Sequence, residues 1–332
     1  MDARSLSPLA SGPIHVHFVL LTGSLILDWA GPAEALRMAN QRLREAGQPD
    51  AFALHFIGPQ PDTRSSVGAT ISALAPLPER LSERSWVVLV GQPGATIAVD
   101  TQETQTLLHW LRGLRLREGA LELITVCAGA VIAAHAGLLH GHRATTHHHH
   151  LDELRRAAPR CDVVENRVFV MDGAISSSAG VTTGVDLFLH RIASICGPAL
   201  AAQVAQAMVV ALRRGPNDPE LSPFLSHRNH LHPALHRVQD AVGQQPQADW
   251  SVARMAEVAC TSPRHLTRLF LTHGAIAPLQ YLRRIRLDVA EAALRSGHNV
   301  TQAAQMAGFS SDTQLRRTWH QMGRQGTPSG AA

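Results

Sequence analysis

The chain has 332 residues, 45% hydrophobic and 4% aromatic, which is enough apolar material for about two domains of roughly 150 residues each and too much for wholesale disorder. All 30 basic residues are arginine, and 12 of them face only 6 acidic residues between Arg228 and Arg324, so that stretch carries +6 while the whole chain carries +4. Met1 to Pro13 is polar, and the best apolar run, Phe18 to Ala30, is broken by Asp28, so neither a secretory signal nor a membrane span is expected and a cytoplasmic protein with no membrane partner is.

In chain order, Ile14 to Leu21 reads as a buried strand and Asp28 to Arg44 as a helix entered through Gly31-Pro32. Phe52 to Ile57 is a second strand, and Trp86 to Val90 a third that ends in the loop Gly91-Gln92-Pro93-Gly94. Thr104 to Arg117 reads as an amphipathic helix, Leu121 to Val126 as a strand, and Cys127 as the start of a turn into a helix that runs through Ala136. Short strands follow at Val168 to Met171 and Ile175 to Ser177, then a helix at Val185 to Ile195. Strands alternating with helices predict an α/β sandwich with a mostly parallel sheet. The clearest break is Arg213-Arg214-Gly215-Pro216-Asn217-Asp218-Pro219, after which every pattern is helical. The expected organisation is an α/β domain at 13–205, a linker at 206–230 and an all-α domain at 231–324.

The all-α part holds one pattern twice. Val252-x-x-x-Ala256-x-x-Ala259 leads to Ser262-x-x-x-Leu266-x-Arg268-x-Phe270, and Val300-x-x-x-Ala304-x-x-Ala307 leads to Ser311-x-x-x-Leu315-x-Arg317-x-Trp319. The offset is 48 before the turn and 49 after it, so the second turn has one extra residue. Two copies of helix, tight turn and arginine-bearing helix predict tandem helix-turn-helix units that bind double-stranded DNA at a promoter or operator. Ser262 and Ser311 are expected N-caps, with Pro263 at the first helical position, where its missing N–H costs nothing. Leu266, Leu269 and Phe270 face inward in the first copy, leaving Arg264, Thr267 and Arg268 on the outer face; Asp312, Thr313, Arg316 and Arg317 take that place in the second. Between the copies, Pro278 to Arg295 predicts a long helix whose Tyr281, Leu282, Ile285, Val289 and Leu294 pack on both units. Such a connector would hold the two readers about one DNA turn apart, roughly 34 Å.

From Pro233 to Gly323 this pattern resembles the AraC/XylS family of transcription regulators, carried by both repeats, the connector and the Ser262-Pro263-Arg264-His265-Leu266-x-Arg268-x-Phe270 run. The resemblance implies base-edge contacts from Arg264, Thr267, Arg268, Asp312, Thr313, Arg316 and Arg317. The family's closing Ser-Pro-x-x-Tyr-Arg is replaced here by Thr327-Pro328-Ser329-Gly330-Ala331-Ala332, which puts one packing contact in question. Asp312 has two readings, a partner for cytosine N4 or a helix cap.

In the α/β part, strand, Cys127 and then Ala128-Gly129-Ala130 have the shape of a nucleophile elbow, where a helix N-terminus can acidify a thiol. Asp28 is a carboxylate at a neighbouring strand end; a buried structural cysteine is the plainer alternative. The region from Ile14 to Val210 resembles the class I glutamine amidotransferase-like superfamily, flavodoxin-like in fold, in the branch with intracellular peptidase-like proteins and isonitrile hydratases. The runs that carry it are Asp28-Trp29-Ala30-Gly31-Pro32-x-Glu34, Val126-Cys127-x-Gly129-Ala130, Arg143-Ala144-Thr145-Thr146-His147 and Ser178-Ala179-Gly180-Val181-Thr182-x-Gly184-x-Asp186. With the second resemblance, the chain is similar to GlxA-type regulators. Asp28 and Cys127 match the hydratase carboxylate and nucleophile, but Ala128 replaces the family's Thr or His, so no neighbouring base activates the thiol. The expectation is a small-molecule effector pocket with Asp28, Glu34, Gly91, Cys127, Ala128 and His147, no cofactor and no catalysis; a cysteine-dependent hydratase or amidase fused to a DNA-binding tail is the alternative, and a ligand-sensing or redox thiol a third. Oligomerisation through the α/β domain is implied by the resemblance alone. On an α-helix, His147-His148-His149-His150 would point about 100° apart, with at most His147 and His150 on one face, so no metal site is expected. Cys161, Cys196 and Cys260 lack ligand spacing, and all four cysteines read as reduced thiols.

Overall fold

The computed structural model describes residues 12–210, 214–216, 220, 226–228, 230–295, 297–324 and 326–330. Of the predicted break, Arg213 and Asn217 to Pro219 lie outside the described residues, as do Ala331 and Ala332 of the tail. The chain divides into two compact units, one ending at Glu220 and one following it. No helix among the described residues is long and apolar enough to cross a membrane.

The first unit is built on a six-stranded sheet. Its strands are β1 (Ile14–Val19), β2 (Phe52–Ile57), β5 (Ser85–Leu89), β6 (Leu121–Val126), β9 (Phe169–Asp172) and β10 (Ile175–Ser178), in the order β2-β1-β5-β6-β10-β9. All neighbours run parallel except β9 and β10, which are antiparallel. Two small two-stranded sheets pair β3 (Thr63–Arg64) with β4 (Thr70–Ile71) and β7 (Arg143–Ala144) with β8 (Asp162–Val163). The apolar runs Trp86-Val87-Val88-Leu89 and Leu123-Ile124 are fully buried because helices cover both faces of the sheet. One layer holds α1 (Ile26–Glu45), α5 (Thr182–Cys196) and α6 (Pro198–Ala207); the other holds α2 (Gln102–Arg112), α3 (Gly129–His135) and α4 (Leu151–Ala157). This is the predicted α/β sandwich. Its strand order reverses between β1 and β5, and in open sheets of this kind ligands bind at the strand C-terminal ends beside that reversal.

Several boundaries differ from the sequence reading. The first helix begins at Ile26, with Pro32 inside it rather than at its entry. The second begins at Gln102, because the Thr101 side chain accepts from Thr104 N, and it stops at Gly113 instead of reaching Arg117. The helix expected from Val185 starts three residues earlier, at Thr182.

His15, His17 and His55 stack across β1 and β2, with ring centroids 5.2 Å apart for His15–His55 and 4.7 Å for His17–His55. His17 is buried, and neither of its ring nitrogens has a hydrogen-bond partner among the described residues. Burial first, then repulsion from His55 and His15, lowers its pKa to about 4. An unfolded histidine titrates near 6.5 and so takes up protons that the folded ring refuses. Stability is therefore complete above about pH 6.5 and is lost as the pH falls toward 4, by up to about 3 kcal/mol. His147, also lowered to about 4, contributes in the same window. Urea melts at pH 7.5 and 5 should show this slope, flattened but not abolished in His17→Leu; identical slopes would dismiss the histidine stack as its source.

The second unit is helical: α7 (Pro233–Gln244), α8 (Val252–Val258), α9 (Pro263–Gly274), α10 (Pro278–Arg295), α11 (Val300–Ala307) and α12 (Asp312–Gln321). It has two cores strung on α10. Tyr281, Leu282 and Ile285 pack with Leu235, Met255, Leu266 and Phe270. One turn on, Leu287, Ala290 and Leu294, with Val289 at the edge, pack with Ala304, Phe309, Leu315 and Trp319. Small alanines at 256, 304 and 307, all buried, let each helix pair cross closely.

Candidate functional site

At the reversal of strand order, three chain segments converge on one carboxylate. Asp28, in the first turn of α1, is fully buried. Its Oδ2 accepts from Gly91 N at 3.0 Å and its Oδ1 from Val181 N at 2.8 Å. Asp28 Oδ2 and the Cys127 side chain both lie against Gly91, where a Cβ would be 2.9 Å from each. Burial raises the Asp28 pKa, opposed by the two backbone N–H donors and the thiol.

Cys127 sits at φ +56, between the end of β6 and the start of α3, as an elbow requires. Its N–H donates to Ser178 O at 3.0 Å, and Thr146 Oγ1 donates to its carbonyl at 2.8 Å. Gly180, at φ +104, lies so close that a Cβ there would be 2.4 Å from Cys127 Cβ. Val181 follows at φ +53, an unusual conformation for a β-branched residue, held by its bond to Asp28.

The surroundings oppose the acidification that an elbow can bring to its thiol. Burial pushes the Cys127 pKa far above the ordinary thiol range, and the Asp28 and Glu220 carboxylates push it further; only the Ala128 N–H acts the other way. The helix behind it spans just Gly129–His135, too weak a dipole to offset a buried neighbouring carboxylate. Burial and the neighbouring carboxylates both favour the protonated thiol. Mass-mapped alkylation at pH 8 should label exposed Cys260 first and Cys127 last, with Cys196, raised to about 11 by burial, and half-buried Cys161 between them. Early labelling of Cys127 would contradict this order.

Of the expected pocket residues, Asp28, Gly91 and Cys127 meet directly. Ala128 is buried behind them at the start of α3. Glu34 does not join: it pairs with Arg37 at 2.6 Å on the surface of α1. His147 follows Thr146 and stacks on His148 with centroids 4.2 Å apart. The geometric argument about the histidine run needs correction. His147 stands before the turn in extended backbone (ψ 137), and His148–His150 form a 3-10 turn, so the 100° spacing of an α-helix does not apply. Sequence reasoning did not single out Thr146, Gly180 or Val181 as site residues, although all three lie in the quoted runs; nothing marked Glu220.

In the second unit both expected caps form: Ser262 accepts from His265 N and Ser311 from Gln314 N. Arg264, Arg268, Thr313 and Arg317 are exposed on the outer faces of α9 and α12, with Thr267 half-buried among them. Arg268 bonds His265 Nδ1 at 2.9 Å, and Thr267 Oγ1 donates back to Pro263 O at 2.9 Å. Two residues are tied to other elements of the unit. Asp312 Oδ2 accepts from Thr301 Oγ1 at 2.9 Å, tying α12 to α11, and Arg316 donates to Ser329 Oγ at 3.1 Å. In place of the missing Tyr-Arg tail, Arg324 pairs with Asp288 and Glu291 of α10, and Pro328 is buried.

A model of the DJ-1/PfpI family matches residues 15–194, more than half of the chain, and a helix-turn-helix domain model matches residues 255–325. The chain belongs to the DJ-1/PfpI family. Relatives named as HTH-type regulators match this DJ-1/PfpI chain along most of its length. The HTH-type transcriptional regulator CdhR of Pseudomonas aeruginosa is 28% identical over 307 residues, covering 91% of this chain and 87% of that protein. The HTH-type transcriptional regulator GlxA of Rhizobium meliloti is 30% identical over 300 residues, covering 89% of each. A solved structure from Vibrio parahaemolyticus, 16% identical with a TM-score of 0.51, covers 59% of this chain and 100% of that one and shares its fold. The two domains together make this DJ-1/PfpI member a DNA-binding transcription regulator of the AraC-type helix-turn-helix class.

Proposed function

We propose that the chain is a cytoplasmic, effector-controlled regulator that reads DNA with Arg264, Thr267 and Arg268 of α9 and with Thr313 and Arg317 of α12. The observation that carries this is the pair of capped helices with outward, solvent-exposed arginines. Asp312 and Arg316 then position α12 rather than read bases, since each is tied to another element, Thr301 of α11 and Ser329 of the tail, whereas the bonds of Thr267 and Arg268 stay within α9. A small molecule is sensed where Asp28, Gly91, Cys127 and Val181 meet, and copies of the chain associate through the α/β domain. The strained Val181 and the glycine packed on Cys127 support a site kept for binding, because strain of this kind persists where a ligand uses it. The test is selection of binding sites from random DNA, then anisotropy titrations across salt and a metabolite panel. Expected are a steep fall of affinity with salt, a selected sequence preferred over its scrambled version, and an effector response lost in Asp28→Asn. Equal affinity for selected and scrambled DNA would overturn the reading.

A cysteine-dependent hydratase or amidase at Cys127 is the competing reading. It needs a thiolate, which burial and the Asp28 carboxylate both oppose. Turnover of a small nitrogen compound, lost in Cys127→Ser, would decide for it.

A further inference from the structure

Four consecutive histidines follow Thr146, and the turn they form draws three together. His147, His148 and His149 each bring one ring donor to within 4.8 Å of the other two. His147 folds back over the turn and accepts from His149 N across 3.4 Å, a long bond that a metal ligand could replace at small cost. The ring centroids of His148 and His149 are 4.3 Å apart. His150 takes no part: it is buried, with Nδ1 on Glu153 Oε2 at 2.7 Å.

A second observation comes from outside the run. The buried carboxylate of Glu220 meets His148 Nδ1 at 2.8 Å and accepts His148 N–H at 3.2 Å. An imidazole that donates Nδ1–H to a carboxylate has its proton fixed there, which leaves its Nε2 lone pair free to coordinate. Metal-ligating histidines are typically held in this way.

We infer that His147, His148 and His149 form a binding site for one divalent transition ion of the zinc class, oriented by Glu220. Three neutral imidazoles suit zinc, nickel or copper, whereas calcium and magnesium demand oxygen ligands. Tetrahedral zinc at about 2.0–2.1 Å from each nitrogen needs donors about 3.3 Å apart. The present spacing closes to that by side-chain rotation on a partly exposed turn. Three protein ligands leave a fourth position for water or an exogenous ligand. Thr146, one residue earlier, holds the Cys127 carbonyl, so an ion here would bear directly on the Asp28–Cys127 site.

The test is titration of the full chain with Co2+, read by visible absorption, and with Zn2+ by calorimetry. One ion per chain with tetrahedral Co2+ bands is expected. His149→Ala, whose ring is exposed, should lower the affinity at least 10-fold with an unchanged melting curve, and Glu220→Gln about 10-fold. His232→Ala with His273→Ala, in a separate histidine cluster of the second unit, should leave binding unchanged. The inference is overturned if His149→Ala and the triple His→Gln variant at 147, 148 and 149 bind Zn2+ like the parent. It is equally overturned if the His232/His273 variant loses the ion, or if the parent takes up none at several-fold molar excess. Should the triple variant fail to fold, His149→Ala decides alone.

Discussion

Replacing Arg268 and Arg317 together with alanine should weaken binding to the selected operator by roughly 30- to 20,000-fold. Each bidentate arginine–guanine pair contributes about 1–3 kcal/mol of discrimination, and a tenfold change in affinity is about 1.4 kcal/mol. Both side chains are exposed on the outer faces of helices whose inward residues, Leu266, Phe270, Leu315 and Trp319, make the cores, so the melting curve should not move. The comparison that decides is specific against random DNA. Base-reading arginines lose affinity chiefly on the operator, whereas phosphate-binding ones lose it on all DNA alike and reduce the salt slope. A parallel loss on both would assign these arginines to the backbone. Arg316→Ala should cost less than Arg317→Ala, because the Arg316 guanidinium is tied to Ser329 of the tail, outside its own helix.

The readers were legible in the sequence because a helix-turn-helix is local. Cap, turn and inward phase all lie within about twenty residues, and duplication repeats the signal. Most of the sheet was legible for a related reason: strands buried on both faces, such as β5 with Trp86 to Leu89, are near-continuous apolar runs. Helix ends were less so, since Thr101 caps through a side chain outside the apolar period and Pro32 is accepted inside α1. The Asp28–Cys127 site was half legible. Asp28 and Cys127 stand out at strand ends, but the donor that completes the site, Val181 N, comes from 153 residues further along the chain. Glu34 lies in a run that matches a family motif, while its own neighbour Arg37, one helical turn on, pairs with its carboxylate. Glu220 carries no local signal, and only the folded chain places it on His148.

The duplicated turns look alike in sequence but differ in what they tolerate. In the first, Cys260 occupies the left-handed position at φ +53 and is exposed; in the second, Gly308 does so at φ +80. A Cβ at Gly308 would meet Gln247 Cα at 2.5 Å, backbone that cannot swing aside. The segment it meets is clamped from the other side: Arg286 of α10 donates Nε to Pro246 O and a terminal nitrogen to Ala248 O, each at 2.8 Å. The second turn and the connector helix thus grip one loop of the first reader, which fixes how the two readers sit on each other. Gly308→Ala should destabilise the second unit by about 2–5 kcal/mol, combining left-handed strain with overpacking. For a domain this size that is a fall in Tm of more than about 10 °C. Cys260→Ala, the matching change in the first copy, should be nearly neutral. Arg286→Ala should fall between the two, and with Gly308→Ala its effect should be non-additive, since both act on residues 246–248. Near its Tm, Gly308→Ala should also lose the advantage of a full operator over a half-site. Equal tolerance of alanine at 260 and 308 would mean that the loop yields and that α10 alone joins the readers.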